Sequence, residues 1–313
     1  MDSEKWKVDS GKRILPYALI AFLSISSLSS FAVRAQLPTD DSIFAAKIKQ
    51  AKAEKIDTLP IGERVAAMGK LFLGTPYVAH TLDEDATKEE LVINLRGFDC
   101  VTFYENMVAF ARIIKKYTNP TMENLRDELK HLRYRDGKID GFHSRLNYTI
   151  DYLYDACHKE ILCDATYTVG GKYLNHDSRE INFMTAHRSL YKQLANNDAE
   201  FSAMQTVESK ILARKGFDYI LKDDVSAVDF KIQTGDIVGI TTNIEGLDCS
   251  HTGIAIRMQD GRIHFMHASS LMGKVIISEE SLDEYLTHSS HQTGIIIARP
   301  LNVVIGNFKP AFD

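Results

Sequence analysis

The stretch RGFDCVTFYENMVAFARIIK, Arg96 to Lys115, places one cysteine, Cys100, behind a Gly-Phe-Asp turn and at the mouth of an apolar helix. Its apolar residues Phe103, Met107, Phe110 and Ile114 recur every three or four positions, so the segment is expected to be a buried amphipathic helix. A thiol is a poor nucleophile until it ionises. The free N–H groups and macrodipole of a helix N-terminus favour the anion, which makes Cys100 a candidate nucleophile. Two plainer roles compete with that one: half of a disulfide, or a small core residue.

The chain has 313 residues, 44% hydrophobic and 25% charged, enough for one large domain or two modest ones. Its first 35 residues read differently from the rest. Lys5, Lys7, Lys12 and Arg13 precede the apolar run ILPYALIAFLSISSLSSFAV, and Val33 and Ala35 stand at the small-residue spacing of a cleavage site. We read residues 1–35 as a secretory signal peptide cut near Ala35, and therefore expect an exported, periplasmic protein. An uncleaved anchor is the alternative, since Ile14 to Val33 is long enough to span a bilayer, although its serines weaken that reading. In the signal reading, contact with the membrane is transient. Removing these residues leaves 32 basic against 39 acidic groups, a net charge of −7. An acidic chain without a basic stripe is not expected to bind nucleic acid.

Four cysteines remain: Cys100, Cys157, Cys163 and Cys249. In an exported protein they allow up to two disulfides in three connectivities, with Cys157 and Cys163 close enough to bridge locally. Cys249 is read as structural.

Residues 36–58 read as a polar tether leading into a helix. IGERVAAMGKLFLG follows at helical spacing and stops at Gly74. TKEELVINL opens with Thr87 and Glu90 at capping-box spacing, a helix-start signal. Residues 118–230 read as a large, mostly helical insert. TMENLRDELKHLRY, INFMTAHRSLYKQL and ESKILARKGFDYIL are its helical segments, and His187 in the second is read as a packing residue. From about residue 232 the period becomes alternating. GDIVGITTN, HTGIAIRM, RIHFMHAS, KVIISEE and GIIIARPL are five short strands, with QDG at 259–261 as a hairpin turn. Helices first and a small antiparallel sheet last make an α+β pattern, with residues 59–313 as the catalytic domain.

A nucleophilic cysteine needs a base, and the base needs an orienting partner. His251 opens one strand and His267 lies near the end of the next, so the hairpin brings them close on one face if the register allows. His264 lies three residues from His267 and is expected on the opposite face. A zinc site of His251, His264 and His267 is the competing reading. The facing of His264 and the lack of a carboxylate at ligand spacing argue against it, so neither metal nor cofactor is called for.

LGTPYV (73–78), GFDC (97–100), GDIV (235–238), HTGIAI (251–256) and FMHAS (265–269) together resemble the NlpC-type papain-like cell-wall hydrolases, in that family's order. Each motif is weak alone. The resemblance covers roughly residues 60–115 and 232–300. It implies a papain-like fold with a cysteine at a helix N-terminus packed on a small antiparallel sheet. It also implies Cys100 as nucleophile, His251 as general base and His267 as its orienting residue. Tyr77 would line the site and help hold the oxyanion with the Cys100 N–H, and Asp99 would have a structural or substrate-amine role.

The chain departs from the common pattern at VAHTLD after the tyrosine turn and at VTFYEN after the cysteine, where Glu105 and Asn106 enter the first helical turns. GFHSRLNYTIDY and FMTAHRSLYKQL instead resemble a subgroup, formerly a domain of unknown function, of N-acetylmuramoyl-L-alanine amidases. That subgroup reads SRLHY where this chain has SRLNY, with Asn147. The implied substrate is a peptidoglycan muropeptide, cleaved through a thioester. Arg145 is a candidate carboxylate clamp, and Ser144, Asn147 and Tyr148 are candidate contacts to sugar or peptide. A surface salt bridge is the plainer role for Arg145. A D-glutamyl–diamino acid endopeptidase and a non-catalytic wall-binding module are the competing functions.

Overall fold

The structure is a computed structural model that describes residues 38–83 and 88–303; the signal segment read at 1–35 lies outside them. Six longer helices are α1 (Asp40–Ala53), α2 (Ile61–Leu71), α3 (Cys100–Lys116), α4 (Met122–Arg133), α5 (Thr149–His158) and α6 (Asp198–Leu212). The strands are β1 (Leu162–Asp164), β2 (Leu174–Asp177), β3 (Phe217–Leu221), β4 (Ile237–Thr242), β5 (Cys249–Arg257), β6 (Ile263–Ser269), β7 (Lys274–Ser281) and β8 (Gln292–Pro300). They form one mixed-length antiparallel sheet in the order β2-β3-β8-β4-β5-β6-β7, with β1 also paired to β8. The chain is thus α+β, and the five alternating runs are the five strands β4 to β8.

α3 is the central helix. Phe103, Met107 and Phe110 are fully buried, and Ile114 nearly so. It packs between α2 and α4 on one side and β5 and β6 on the other. Ile254, Ile256 and Met266 meet α2 and α3 on one face of the sheet, while Ala255, Phe265, Ile295 and Ile297 fill a second cluster on the other. The Gly-Asp opening of β4 is structural. Gly235, at φ +91°, sits where a Cβ would lie 2.0 Å from the Gly62 carbonyl oxygen. Asp236 accepts two hydrogen bonds from Arg299 at 2.8 Å, which ties the start of β4 to the end of β8.

Three expectations change. The segment read as a tether is, from Asp40 to Ala53, a helix capped by Thr39, and Phe44 stacks on Phe110 at 5.6 Å. Its polar composition hides the short apolar stripe Phe44, Ile48 and Ala51 that docks on the core. The helix start read at Thr87 and Glu90 does not form in its described part, because Glu89 is drawn into tertiary bonds with Arg145 and Tyr134 instead. Finally, the 118–230 insert is not only helical. β1, β2 and β3 belong to it and extend the sheet past β8. The apolar spacing of ESKILARKGFDYIL runs through Gly216, whose φ of +102° ends the helical run and opens β3. INFMTAHRSLYKQL breaks into short helical turns, with His187 exposed and stacked on Phe183 at 4.2 Å.

A packed α1 makes a stability prediction. Phe44→Ala is expected to cost about 3 kcal/mol or more in urea unfolding, as a buried aromatic truncation does. A loss below about 0.5 kcal/mol would mean that the segment is a tether after all.

Candidate active site

Cys100 is the first residue of α3, and Asp99 is its N-cap. The Asp99 carboxylate accepts the Thr102 N–H at 2.7 Å, and the Thr102 hydroxyl accepts the Asp99 N–H at 2.9 Å, a closed capping box. This cap is fixed against the tyrosine turn. Val78 N–H donates to the Phe98 carbonyl at 2.9 Å, and Phe98 N–H donates to Pro76 at 3.0 Å. Gly97 permits that approach, since a Cβ there would fall 2.5 Å from a Val78 methyl. Tyr77 is thereby held beside Asp99 and Cys100.

His251 and His267 meet on β5 and β6. Extending the register from Ile254 opposite Met266 puts Gly253 opposite His267, so the two imidazoles are diagonal neighbours on one face. Nε2 of His251 and Nδ1 of His267 are 2.7 Å apart. The His267 ring stacks on Phe265 at 4.7 Å and meets Tyr285 edge-on at 5.2 Å. Gly253 makes the room: a Cβ there would lie 2.6 Å from the Phe265 ring. His264 points to the other face, between Asp260 and the Ser278 carbonyl.

The residue of β5 that approaches the thiol is Thr252, which follows His251. Thr252 presents its backbone N–H and hydroxyl towards the sulfur, which favours the thiolate slightly. The hydroxyl is buried and makes no hydrogen bond. Nδ1 of His251 has no hydrogen-bond partner among the described residues. Burial and the Glu280 carboxylate push the hydroxyl of Tyr285, packed on His267, up to about 12.

The electrostatics correct one expectation. Burial, then the neighbouring Asp99 carboxylate, push the Cys100 thiol up to about 11. Asp99, which takes the Thr102 N–H as the cap of α3, brings that negative charge to the helix N-terminus. Burial lowers His251 to about 4, while burial and the charge of His251 lower His267 to about 3. At pH 7 these shifts favour the neutral thiol and the neutral imidazoles in the free protein. Nε2 of His267 is buried and without a partner. In the tautomer that leaves Nδ1 of His251 open to accept a proton, His251 donates from Nε2 to His267 and this orphaned Nε2 carries the His267 hydrogen.

A pocket of about 290 Å³ opens beside Cys100, bordered by Tyr77, Asp99, Arg145 and Asn147 among others. Four candidates from the sequence thus share its wall with the cysteine. Arg145 is no free clamp, however. Its guanidinium binds both oxygens of Glu89 at 2.9 and 2.8 Å, Asp83 at 2.8 Å and the Leu82 carbonyl at 3.0 Å. The carboxylates it holds are the protein's own. Asn147 donates to the Arg145 carbonyl at 3.0 Å. Ser144 and Tyr148 do not border the pocket. Ser144 closes a turn on Gly141 at 2.6 Å, and Tyr148 donates to Glu208 at 2.7 Å. Cys157, Cys163 and Cys249 are free thiols, so the local bridge considered for the first two is not made.

Sequence reasoning passed over Arg133, which also borders the pocket and pairs with Glu105 at 2.9 Å; both are almost completely buried. The signal was a charge at 105 inside the apolar face of α3. Burial raises the Glu105 carboxyl, and Arg133 opposes the rise.

These values predict the reactivity of the free thiol. Alkylation of Cys100 by iodoacetamide is expected to accelerate about tenfold per pH unit from pH 7 to near 11. A plateau already reached by pH 7 would contradict the neutral resting pair.

The family model described as AmiA-like, N-acetylmuramoyl-L-alanine amidase-like, matches residues 67–295. Among curated proteins none matches the chain. A solved N-acetylmuramoyl-L-alanine amidase from Bacteroides uniformis is 34% identical over 77% of this chain and 99% of its own, with a TM-score of 0.68. A Bacteroides fragilis protein provisionally named a xylanase is 37% identical over 74% of this chain and 98% of its own, with a TM-score of 0.67. A Legionella pneumophila protein shares the fold at 22% identity, covering 82% of this chain and 96% of its own, with a TM-score of 0.61. The chain belongs to the N-acetylmuramoyl-L-alanine amidase-like family.

Proposed function

We propose that the protein is an exported, periplasmic cysteine amidase of papain-like, NlpC-type fold that hydrolyses the N-acetylmuramoyl–L-alanine bond of peptidoglycan fragments. The observation that carries the reading is the 2.7 Å contact between His251 and His267, which leaves Nδ1 of His251 open beside the strand residue that approaches Cys100. The family and the printed name of the Bacteroides uniformis relative support the bond cleaved.

Cys100 attacks the lactyl carbonyl carbon as its proton passes to Nδ1 of His251. The two events are coupled because the neutral pair is the resting state. The tetrahedral oxyanion is held by the Cys100 N–H and the Tyr77 hydroxyl. His251 then gives the proton to the departing alanine nitrogen, and a thioester remains. A water loses its proton to His251, attacks the thioester and restores the thiol. His267 accepts from Nε2 of His251 throughout and spreads the charge of the imidazolium. The insert residues Arg133, Arg145 and Asn147 wall the pocket, which favours released fragments over intact wall. A glycosidase reading fits these residues poorly. It needs two free carboxylates, whereas Asp99 caps α3 and Glu105 is paired with Arg133.

Incubation with N-acetylmuramoyl-tetrapeptide is expected to release the intact tetrapeptide, and Cys100→Ala to slow this on the order of 10³-fold or more. A muramoyl-L-Ala-D-Glu product would make the protein an endopeptidase, and undiminished activity in Cys100→Ala would remove the thiol mechanism. The base must be neutral to act, and burial holds His251 near 4, so kcat/KM is expected to stay level down to about pH 5 and fall below about 4. A fall beginning at pH 6.5 would mean an unperturbed histidine.

A further inference from the structure

The buried pair Glu105–Arg133 borders the pocket beside Cys100 and takes no part in the proton transfers above. Arg133 uses Nε on Glu105 Oε2 and Nη1 on the Val92 carbonyl at 2.7 Å. Among the described residues its Nη2 has no hydrogen-bond partner, and neither has Glu105 Oε1. Both residues border the pocket, and this unused donor and acceptor are the polar atoms they have left to offer it. A donor and an acceptor, on side chains only 2% and 1% exposed, are thus offered together at its wall.

We propose that this pair is a sugar-hydroxyl subsite, which seats the muramyl ring rather than the peptide stem in the pocket. A hydroxyl oxygen accepts from one neighbour and donates to another through the same atom, which suits adjacent Nη2 and Oε1. A carboxylate cannot donate, and it would meet Asp99 and Glu105 against Arg133 alone, since Arg145 is already neutralised by Glu89 and Asp83. The stem peptide, which carries carboxylates, is repelled there. The inference rests on the amidase reading and says which side of the scissile bond this pocket holds.

The test compares two substrates of the wild-type protein, N-acetylmuramoyl-L-Ala-D-Glu and the same dipeptide carrying only a lactoyl group. A site built to bond a hydroxyl rejects the analogue lacking it, so kcat/KM is expected to fall about 100-fold for the lactoyl compound. Amidation of the D-Glu carboxyl groups is expected to change kcat/KM less than about threefold. The double variant Glu105→Met/Arg133→Met removes both charges together, which a core tolerates better than losing one. Its ratio between the two substrates is expected to shrink at least tenfold. Equal cleavage of both substrates by the wild type would overturn the subsite and leave the amidase reading standing. Cleavage of neither would overturn both. Equal wild-type cleavage overturns the subsite even if the variant does not fold, and an undiminished ratio in a folded variant overturns its assignment to this pair.

Discussion

The N-terminus of α3 is pressed against β5, and the site depends on that contact. On one side it holds the thiol of Cys100 and the Asp99 cap. On the other, Thr252 approaches the sulfur, and its chain neighbour His251 pairs with His267. Two absent side chains make it possible. Gly97 lets the Pro76–Val78 segment lie against the cap, and Gly253 gives Phe265 room to carry the His267 ring. Either position filled would displace a wall of the pocket or one member of the imidazole pair.

Burial is the largest influence on the charge state of the thiol and of both imidazoles. Folding removes water from Cys100, His251 and His267 alike, and each is driven towards its neutral form. Nucleophilicity is then a property of the complex with substrate rather than of the resting protein. An acyl carbonyl placed over the α3 N-terminus supplies the reason for the proton to move. Such an arrangement also spares a free thiol from casual alkylation and oxidation.

Much of this was legible in residue patterns. The 3.6-residue period after Cys100 and the change to alternation near 232 are local signals, and both elements formed. The parity of His264 and His267 followed from the two-residue repeat of a strand. What the chain concealed depends on long-range partners. Glu89 gives up a helix start for Arg145, and Arg145 spends its charge on Asp83 and Glu89 rather than on a ligand. β3 lies behind Gly216, where a continuing apolar pattern outweighed the glycine. Arg133 carried no local mark, because an arginine on an amphipathic helix is ordinarily solvated. The thiol's charge state was misjudged for a similar reason: the Asp99 that announces the helix start also opposes the anion.

The most direct measurement is the mass of the acyl-enzyme. Wild-type protein mixed with N-acetylmuramoyl-L-Ala-D-Glu and quenched in acid within the first turnover should carry one N-acetylmuramoyl group, mapped by peptide fragmentation to Cys100. A peptidyl adduct there, or turnover with Cys100 never modified, would contradict attack by this thiol on the lactyl carbon.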